Sequence, residues 1–296
     1  MFATTEVANS GRFVSMDWAL FIGLSAVWGS SFLLIAIALE SLTPGLITLG
    51  RVGGGAATLL VLKRLSPQAD RKLDRADLPK VVLLSILWVG IPFTLFPLAE
   101  QYINSAVTGL LNGAMPIFAA LVSVAFVRET PGRAPSIGIA IGFVGVILIS
   151  LPSIGEGAAQ ARGVLMVLAA TVCYGFAINI AAPLQKKYGA LTLMTPLLCL
   201  ATLWTLPLGL RNFGENTATV GGVAAVAFLG AVGTGFAYWM MATLVGRVGP
   251  IRASFITYLI PVVALVLGVI FRGDTIAAVA IVGAALTIGG AVLASR

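Results

Sequence analysis

The chain has 296 residues, of which 59% are hydrophobic and only 10% are charged, whereas soluble domains are usually about 25% charged. This composition excludes an ordinary soluble domain and places most of the chain in lipid. The net charge of +7 does not indicate a nucleic-acid partner, because the basic residues lie in short segments between apolar stretches.

Continuous apolar runs of about 20 residues divide the chain, and this is the length that an α-helix needs to cross a bilayer. Alternating segments of about 10 residues, the signature of a membrane β-barrel, are not evident in the sequence. The sequence therefore predicts an all-α integral membrane protein with ten transmembrane helices. The predicted spans are 17–39, 43–63, 79–100, 103–127, 134–151, 162–184, 190–210, 219–243, 249–271 and 275–295.

Cysteine and histidine usage argues against several kinds of site. Cys173 and Cys199 lie in separate predicted spans, and the chain has no histidine. Neither a disulfide framework nor a metal site is indicated, and the sequence predicts no cofactor.

The loops predict the orientation of the chain. Most of the 18 lysines and arginines fall on the side of the N-terminus, and only Arg162, Arg211 and Arg272 fall in loops on the other side. Because cytoplasmic loops carry an excess of basic residues, both termini are predicted to be cytoplasmic in a bacterial-type inner (plasma) membrane. Residues 1–16 are too polar for a signal peptide, so they are expected to form a cytoplasmic segment.

The second half of the chain repeats the first about 145 positions later. With Pro116 aligned on Pro261, residues 101–150 match residues 246–295 without a gap. A mid-helix proline, an acid after that helix and two glycines of the last helix recur together. Each half has five helices, an odd number, so the two repeats must be inverted in the membrane. Inverted repeats are typical of transporters that bind substrate where the halves meet.

This repeat predicts four sections of the chain. They are a cytoplasmic N-terminal segment (1–16), a first five-helix repeat (17–151), an outer linker (152–161) and a second five-helix repeat (162–296).

Several short motifs carry a resemblance to a known family. They are Trp28-Gly29-Ser30-Ser31-Phe32, Gly50-Arg51-Val52, residues 101–106, residues 115–120, residues 249–254, residues 258–264 and Gly273-Asp274-Thr275. Their order and spacing resemble the ten-helix, double-repeat (EamA-type) branch of the drug/metabolite transporter superfamily, and the chain is similar to its bacterial amino-acid exporters. The resemblance implies an exporter of amino acids or related small metabolites that works by alternating access.

The two repeated prolines indicate polar positions at mid-membrane. A proline inside a helix leaves the carbonyl four residues earlier without its usual partner, so Pro116 frees the carbonyl of Asn112 and Pro261 frees that of Thr257. Thr108 lies one turn before Asn112 on the same face. These groups could form symmetric polar patches for a polar or zwitterionic ligand, or be helix kinks that neighbouring helices satisfy.

Aromatic residues placed away from the membrane interfaces form a second group of candidates. They are Trp28, Trp88, Tyr174, Tyr238 and Tyr258. Rings with a few hydrogen-bonding tips suit an amphiphilic small molecule, and the alternative is interior packing. Asn179, a polar residue in the sixth span, is interpreted as either a pocket residue or an interhelical contact.

Arg51 is the one charged residue well inside a predicted span, and such residues are usually functional. Its long side chain could equally brace the helices or reach the membrane surface. No carboxylate lies between Asp17 and Glu40, where the small multidrug pumps of the superfamily carry a proton-exchanging acid, so facilitated transport is the simplest expectation. Glu129 and Asp274 are expected to stabilise the starts of the following helices or to pair with local arginines.

Other functions stay open at this stage. Aromatic rings would also suit drugs, nucleobases or quaternary amines. A channel or an intramembrane enzyme is a remote alternative, because the sequence shows neither a filter motif nor converging catalytic groups. The expected partners are a small-molecule substrate and the lipid bilayer, and the protein is expected to be a monomer or a homodimer.

Overall fold

A computed structural model describes residues 13–65, 72–127 and 132–295, and this part of the chain is helical without any β-strand. The helices, numbered in chain order, are α1 Ser15–Leu39, α2 Pro44–Leu65, α3 Arg75–Ala99, α4a Ser105–Asn112, α4b Met115–Val127, α5 Arg133–Glu156, α6 Ala158–Tyr188, α7 Ala190–Leu210, α8 Val220–Val248, α9a Pro250–Ser254, α9b Ile256–Leu267 and α10 Ala278–Ala294. The predicted ten-helix membrane fold is confirmed.

Most predicted spans differ from the helices only at their ends. Nine helices in the described ranges are long and apolar enough to cross a membrane, and Ala278–Ala294 is a shorter apolar helix packed along α5. The segment 152–161, expected as a linker, is helical except at Gly157, whose φ is +138°. Pro152 does not end α5, since membrane helices tolerate proline where neighbouring groups satisfy the backbone.

Two irregular turns recur at matching positions of the two halves. Residues Ser85–Gly90 of α3 and Ala231–Phe236 of α8 form π-helical turns, separated by about the repeat length. A π-helical turn inserts an extra residue into a helix and redirects the side chains that follow it, and such turns are frequent at functional sites.

The fourth and ninth spans are interrupted near their prolines. The fourth breaks at Gly113 and Ala114, two residues before Pro116, and the ninth breaks at Phe255. The segments α4a and α9b lie close together where the fourth span breaks: a methyl group added at Gly113 would lie 2.8 Å from the Cγ atom of Pro261. The break of the fourth span is therefore in direct contact with the proline of the ninth.

The alternation of the helices gives the bundle two faces. The face that carries the end of α3 and the start of α4a is called here the Asp274 face, and the opposite one the Arg247 face. On the Arg247 face, Arg247 Nε lies 2.5 Å from Asp17 Oδ1 and Lys187 Nζ lies 2.8 Å from Asp77 Oδ2. These ion pairs join α1 to α8 and α6 to α3, so each connects one half with the other.

Candidate functional site

Arg51 of α2 lies inside the bundle, with only 6% of its surface exposed. The centre of its guanidinium group is 4.0 Å from the centroid of the Phe93 ring. Its Nε donates to Thr234 Oγ1 at 3.3 Å and its Nη2 donates to Ser31 Oγ at 3.5 Å. The side chain therefore does not extend to the membrane surface but bridges α1, α2, α3 and α8.

The π-helical turn of α8 positions one of these partners. Thr234 lies in that turn, is fully buried and donates its hydroxyl to the Leu229 carbonyl at 2.8 Å. This bond fixes the rotamer and leaves a lone pair of the oxygen for Arg51. Thr234 was not among the residues singled out from the sequence, because a threonine in an apolar helix usually bonds only to its own backbone.

Arg51, the Phe93 ring beneath it and the ring pairs contributed by both halves are called here the central cluster, namely Arg51, Trp28, Phe32, Phe93, Phe96, Tyr174 and Tyr238. The Trp28 and Tyr238 centroids are 6.1 Å apart, those of Phe96 and Tyr174 are also 6.1 Å apart, and those of Phe32 and Phe96 are 5.6 Å apart. Neither tyrosine hydroxyl has a hydrogen-bond partner in the described part of the chain. The cluster thus combines a buried cation, apolar surface and unoccupied hydroxyl groups.

The structure brings three of the predicted aromatic residues, Trp28, Tyr174 and Tyr238, into the central cluster. Trp88 lies in the π-helical turn of α3 and is half-buried against the core. Tyr258 instead faces α10, where its hydroxyl donates to the Ala291 carbonyl at 3.2 Å. Its bond is the interior packing that the sequence left as the alternative.

The polar residues near the two prolines differ from one another. Thr108 donates to the Asn104 carbonyl at 3.0 Å and Thr257 donates to the Ser254 carbonyl at 2.7 Å, so both hydroxyls are satisfied within their own spans. Asn179 donates at 2.9 Å to both Ala119 and Gly175 carbonyls, which makes it an interhelical contact. Asn112 differs, since its buried Oδ1 atom has no partner among the described residues.

Glu100 is the acid that the sequence did not single out. It directly follows α3, and both of its carboxylate oxygens are buried without a hydrogen-bond partner in the described residues. Burial raises the pKa of the Glu100 carboxyl well above its ordinary value, Asp274 raises it further, and Arg51 and Arg272 lower it. Glu100 thus lies at the end of the predicted span 79–100 with its carboxylate directed into the protein.

Helical spacing could have indicated this position. Glu100 follows Phe93 by seven residues, so the two side chains lie on the same face of α3 about two turns apart. Phe93 contacts Arg51, and this face is therefore the one that meets the central cluster.

Asp274 connects the two halves at its own face. Its Oδ2 accepts from Ser105 Oγ at 2.7 Å and from the Ala106 backbone amide at 2.9 Å, at the start of α4a. It therefore caps the helix of the other repeat rather than the helix that follows it. The matching residue of the first repeat, Glu129, lies outside the described residues, as do residues 1–12.

A nearby surface groove is separate from the central cluster. It has a volume of about 510 Å³ and lies between the ends of α4a, α5 and α10, where Asn104, Ser153 and Glu156 line it. None of the predicted site residues lines this groove.

Comparison with known proteins gives a consistent result over nearly the whole chain. The profile described as the EamA-like transporter family matches residues 17–151 and again residues 161–296. The chain is 28% identical to an uncharacterized transporter, YdfC, of Bacillus subtilis (strain 168), over 94% of this chain and 89% of that protein.

Two further relatives have more specific names. A probable terminal-alkyne amino-acid exporter of Streptantibioticus cattleyicolor is 27% identical, over 94% of this chain and 93% of that protein. An uncharacterized inner membrane transporter, YedA, of Escherichia coli (strain K12) is 26% identical, over 87% of this chain and 83% of that protein. A crystal structure of another protein superposes with a TM-score of 0.65 at 20% identity, over 95% of this chain and 97% of that one, and shows the same fold.

Proposed function

Because the chain belongs to the EamA-like transporter family, whose profile matches both of its halves, we propose that it exports amino acids or related small metabolites by alternating access. Membership of this family makes it a multi-pass membrane transporter. The substrate class, the inner membrane and the cytoplasmic position of both termini are the proposed part.

The central cluster is the observation that carries the substrate class. A buried guanidinium group is costly unless it is paired, and Arg51 has only two long hydrogen bonds and a ring beside it. A carboxylate is the group that a guanidinium fork binds best. The surrounding rings offer apolar surface to a side chain, so a small molecule with a carboxylate and an apolar part fits the cluster.

The comparisons support the same proposal. One relative is named as a probable amino-acid exporter, and another is named as an inner membrane transporter. The excess of basic residues on the side of the N-terminus supports cytoplasmic termini.

Alternating access is supported by the arrangement of the halves. The segments α4a and α9b pack against each other and are joined at the Asp274 face, whereas α4b packs mainly on α6. Exchanging the conformations of two inverted repeats would close one face and open the other. Downhill, facilitated flux is the mechanism we propose, and counterflow without a pH gradient is its signature.

The alternative of a cation exporter receives less support from the geometry. A quaternary amine would use the faces of the rings, but Arg51 already lies over Phe93. A second cation in the central cluster would be repelled by the buried guanidinium group.

The test is counterflow of a radiolabelled amino-acid panel in liposomes that contain the purified protein. Arg51→Gln and Trp28→Ala are the test variants. Arg211→Gln, in an exposed loop, and Trp18→Ala, at a residue that is 51% exposed, are matched controls for charge and for ring size.

We expect saturable counterflow in the wild type and in both controls, with no need for a pH gradient. Arg51→Gln should lower the flux by at least about 10-fold while the protein stays folded, because the loss of one charged contact in a buried site costs about 1.5–3 kcal/mol. Trp28→Ala should lower the flux as well, because it removes the aromatic surface that the substrate side chain would contact. Folded wild-type protein that exchanges no amino acid would reject the substrate class. Counterflow of quaternary amines or nucleobases instead would favour the alternative.

A further inference from the structure

We propose that Arg51 and Glu100 bind the two ends of an amino-acid head group, with the carboxylate at Arg51 and the α-ammonium group at Glu100. This inference rests on the proposed function and specifies the chemistry by which its substrate is recognised. Glu100 was not among the site residues predicted from the sequence.

The unpaired state of Glu100 is the first observation. Both carboxylate oxygens are buried, and neither accepts a hydrogen bond from any described residue. Buried polar groups in folded proteins almost always have a partner, so an orphaned carboxylate indicates a ligand, an ion or a proton that occupies it in function. An ammonium group supplies three donors and the opposite charge.

Arg51 has unused donors of its own. A guanidinium group carries five N–H donors, and only two of them bond to neighbours, at 3.3 Å and 3.5 Å, near the upper limit for such bonds. The described residues contain no carboxylate that forms an ion pair with Arg51. The remaining donors are available for a two-pronged contact with a substrate carboxylate.

Arg51 and Glu100 also have a suitable relation to each other. Both point into the protein from α2 and from the end of α3, and they form no ion pair with each other, so the two opposite charges are not in direct contact. A zwitterion that lies between them would have each end facing its opposite charge. Phe93, Phe96 and Glu100 follow one another on the same face of α3, so Phe96 lies between the level of Arg51, which contacts Phe93, and that of Glu100.

The other charges near Glu100 are already engaged. Asp274 accepts from Ser105 and Ala106, and Arg272 pairs with Glu40 at the surface. Glu100 is therefore the carboxylate in this region that is left to pair with a substrate ammonium group. Its positive charge favours the ionised carboxylate and offsets the cost of burial.

The test uses three probes that share one side chain. They are leucine, 3-methylbutylamine, which lacks the carboxylate, and 4-methylpentanoate, which lacks the amino group. Each is measured as an inhibitor of counterflow of the labelled amino acid that the wild type exchanges best. Glu100→Gln and Arg51→Gln are compared with the exposed controls Glu156→Gln and Arg211→Gln.

We expect the wild type to bind leucine at least about 10-fold more tightly than either analogue, since each analogue leaves one buried charge unpaired. Glu100→Gln should weaken the binding of leucine by about 10-fold or more and leave the affinity for 4-methylpentanoate unchanged. Arg51→Gln should weaken the binding of leucine by a similar factor and leave the affinity for 3-methylbutylamine unchanged. Both controls should keep the wild-type order of affinities.

Several outcomes would overturn the inference. Equal weakening of all three probes by Glu100→Gln would make Glu100 a structural residue. Loss of the pH dependence of flux with an unchanged order of affinities would make it a proton site. If Glu100→Gln does not fold, Glu100→Asp replaces it. The variant with the shorter carboxylate should bind leucine less tightly than the wild type but should still prefer leucine to 4-methylpentanoate. Loss of that preference would contradict the assignment.

The failure of this inference is distinguishable from failure of the proposed function. Amino-acid counterflow by the wild type with unchanged discrimination in both variants would remove only the head-group assignment. No amino-acid counterflow by folded wild-type protein would overturn both.

Discussion

The pair formed by α5 and α10 and the pair formed by the fourth and ninth spans are built in opposite ways. Along α5 and α10, Gly145 and Gly283 approach so closely that a methyl group on either would lie 2.5–2.6 Å from the other's carbonyl oxygen. The fourth and ninth spans are broken by their kinks and pack closely along α4a and α9b only, where Gly113 faces Pro261 and Gly109 faces Ala264, and Asp274 joins them at one face.

The difference separates a fixed part of the molecule from an adjustable one. Helices whose backbones touch along their length cannot separate without losing many contacts at once. The fourth and ninth spans pack closely along α4a and α9b, whereas α4b packs mainly on α6. A contact that covers about half of each span can be exchanged at a smaller cost than one that runs the full length of two helices. We therefore expect α5 and α10 to hold the fold, while the fourth and ninth spans regulate access to the central cluster.

The largest expected effect comes from filling the glycine contact. Gly145→Leu would place a side chain into the backbone of α10, 2.5 Å from the Gly283 carbonyl oxygen, so we expect a loss of about 3 kcal/mol or more of stability and little folded protein. Thermal unfolding in detergent measures it. Gly289→Ala, on the open side of α10 with no atom within 4 Å, is the control and should melt like the wild type.

The next effect concerns the support of Arg51. Thr234→Val keeps the shape of the side chain but removes the acceptor of Arg51 Nε and the bond to Leu229. We expect about 10-fold weaker substrate affinity, since a buried donor left without a partner costs about 1–3 kcal/mol. Competition in the counterflow assay measures it. Thr202→Val removes a hydroxyl that bonds only within its own helix, so this variant should keep the wild-type substrate affinity. An equal loss of affinity in Thr202→Val and Thr234→Val would mean that Arg51 needs no support from Thr234.

A smaller effect is expected at the Asp274 cap. Asp274→Asn keeps an acceptor but removes the charge, and neutral hydrogen bonds are roughly half as strong as charged ones. We expect this face to open about 5-fold more often, which corresponds to about 1 kcal/mol. The readout is labelling of Ala106→Cys, a buried position, by an impermeant maleimide in a background without Cys173 and Cys199.

Glu215→Gln, an exposed acid after α7, is the control for that measurement. Equal labelling rates in Asp274→Asn and the wild type would show that the cap does not limit opening.

The smallest effect is expected at the exposed Arg247 face. Hydrogen bonds from Lys187 and Tyr188 lower the pKa of Asp74 below its ordinary value of 3.8. A lowered folded-state pKa means that the stabilisation is present above the ordinary value and is lost as the pH falls through the folded-state value. Asp74→Asn should therefore lower the melting temperature slightly at pH 7 and not at all at the acid end of a pH series. An equal decrease at every pH would contradict the assignment.

The sequence predicted the fold well because its signals are local. Apolar runs of membrane length and the repeated prolines need no tertiary information, and Trp28 and Tyr174 were identified by their positions away from the membrane interfaces. What escaped prediction depends on how helices face each other. The π-helical turn that aims Thr234 at Arg51 shifts the helical register, so periodicity cannot place it.

Tyr258 and Glu100 illustrate the same limit from two directions. Tyr258 is an aromatic residue with a hydroxyl group, which suits a pocket, but it follows the break at Phe255 and faces α10. Glu100 was counted as the polar end of a span, although the turn that follows α3 keeps its carboxylate inside the protein. Hydropathy reports depth along a helix and does not report which way a side chain points.

The central claim is that the Arg51 cluster binds the transported amino acid, and calorimetric titration of the purified protein with the best substrate of the panel tests it most directly. We expect saturable binding by the wild type and by Arg211→Gln. Arg51→Gln should bind at least about 10-fold more weakly at an unchanged melting temperature. Equal affinity of Arg51→Gln and the wild type would contradict the account.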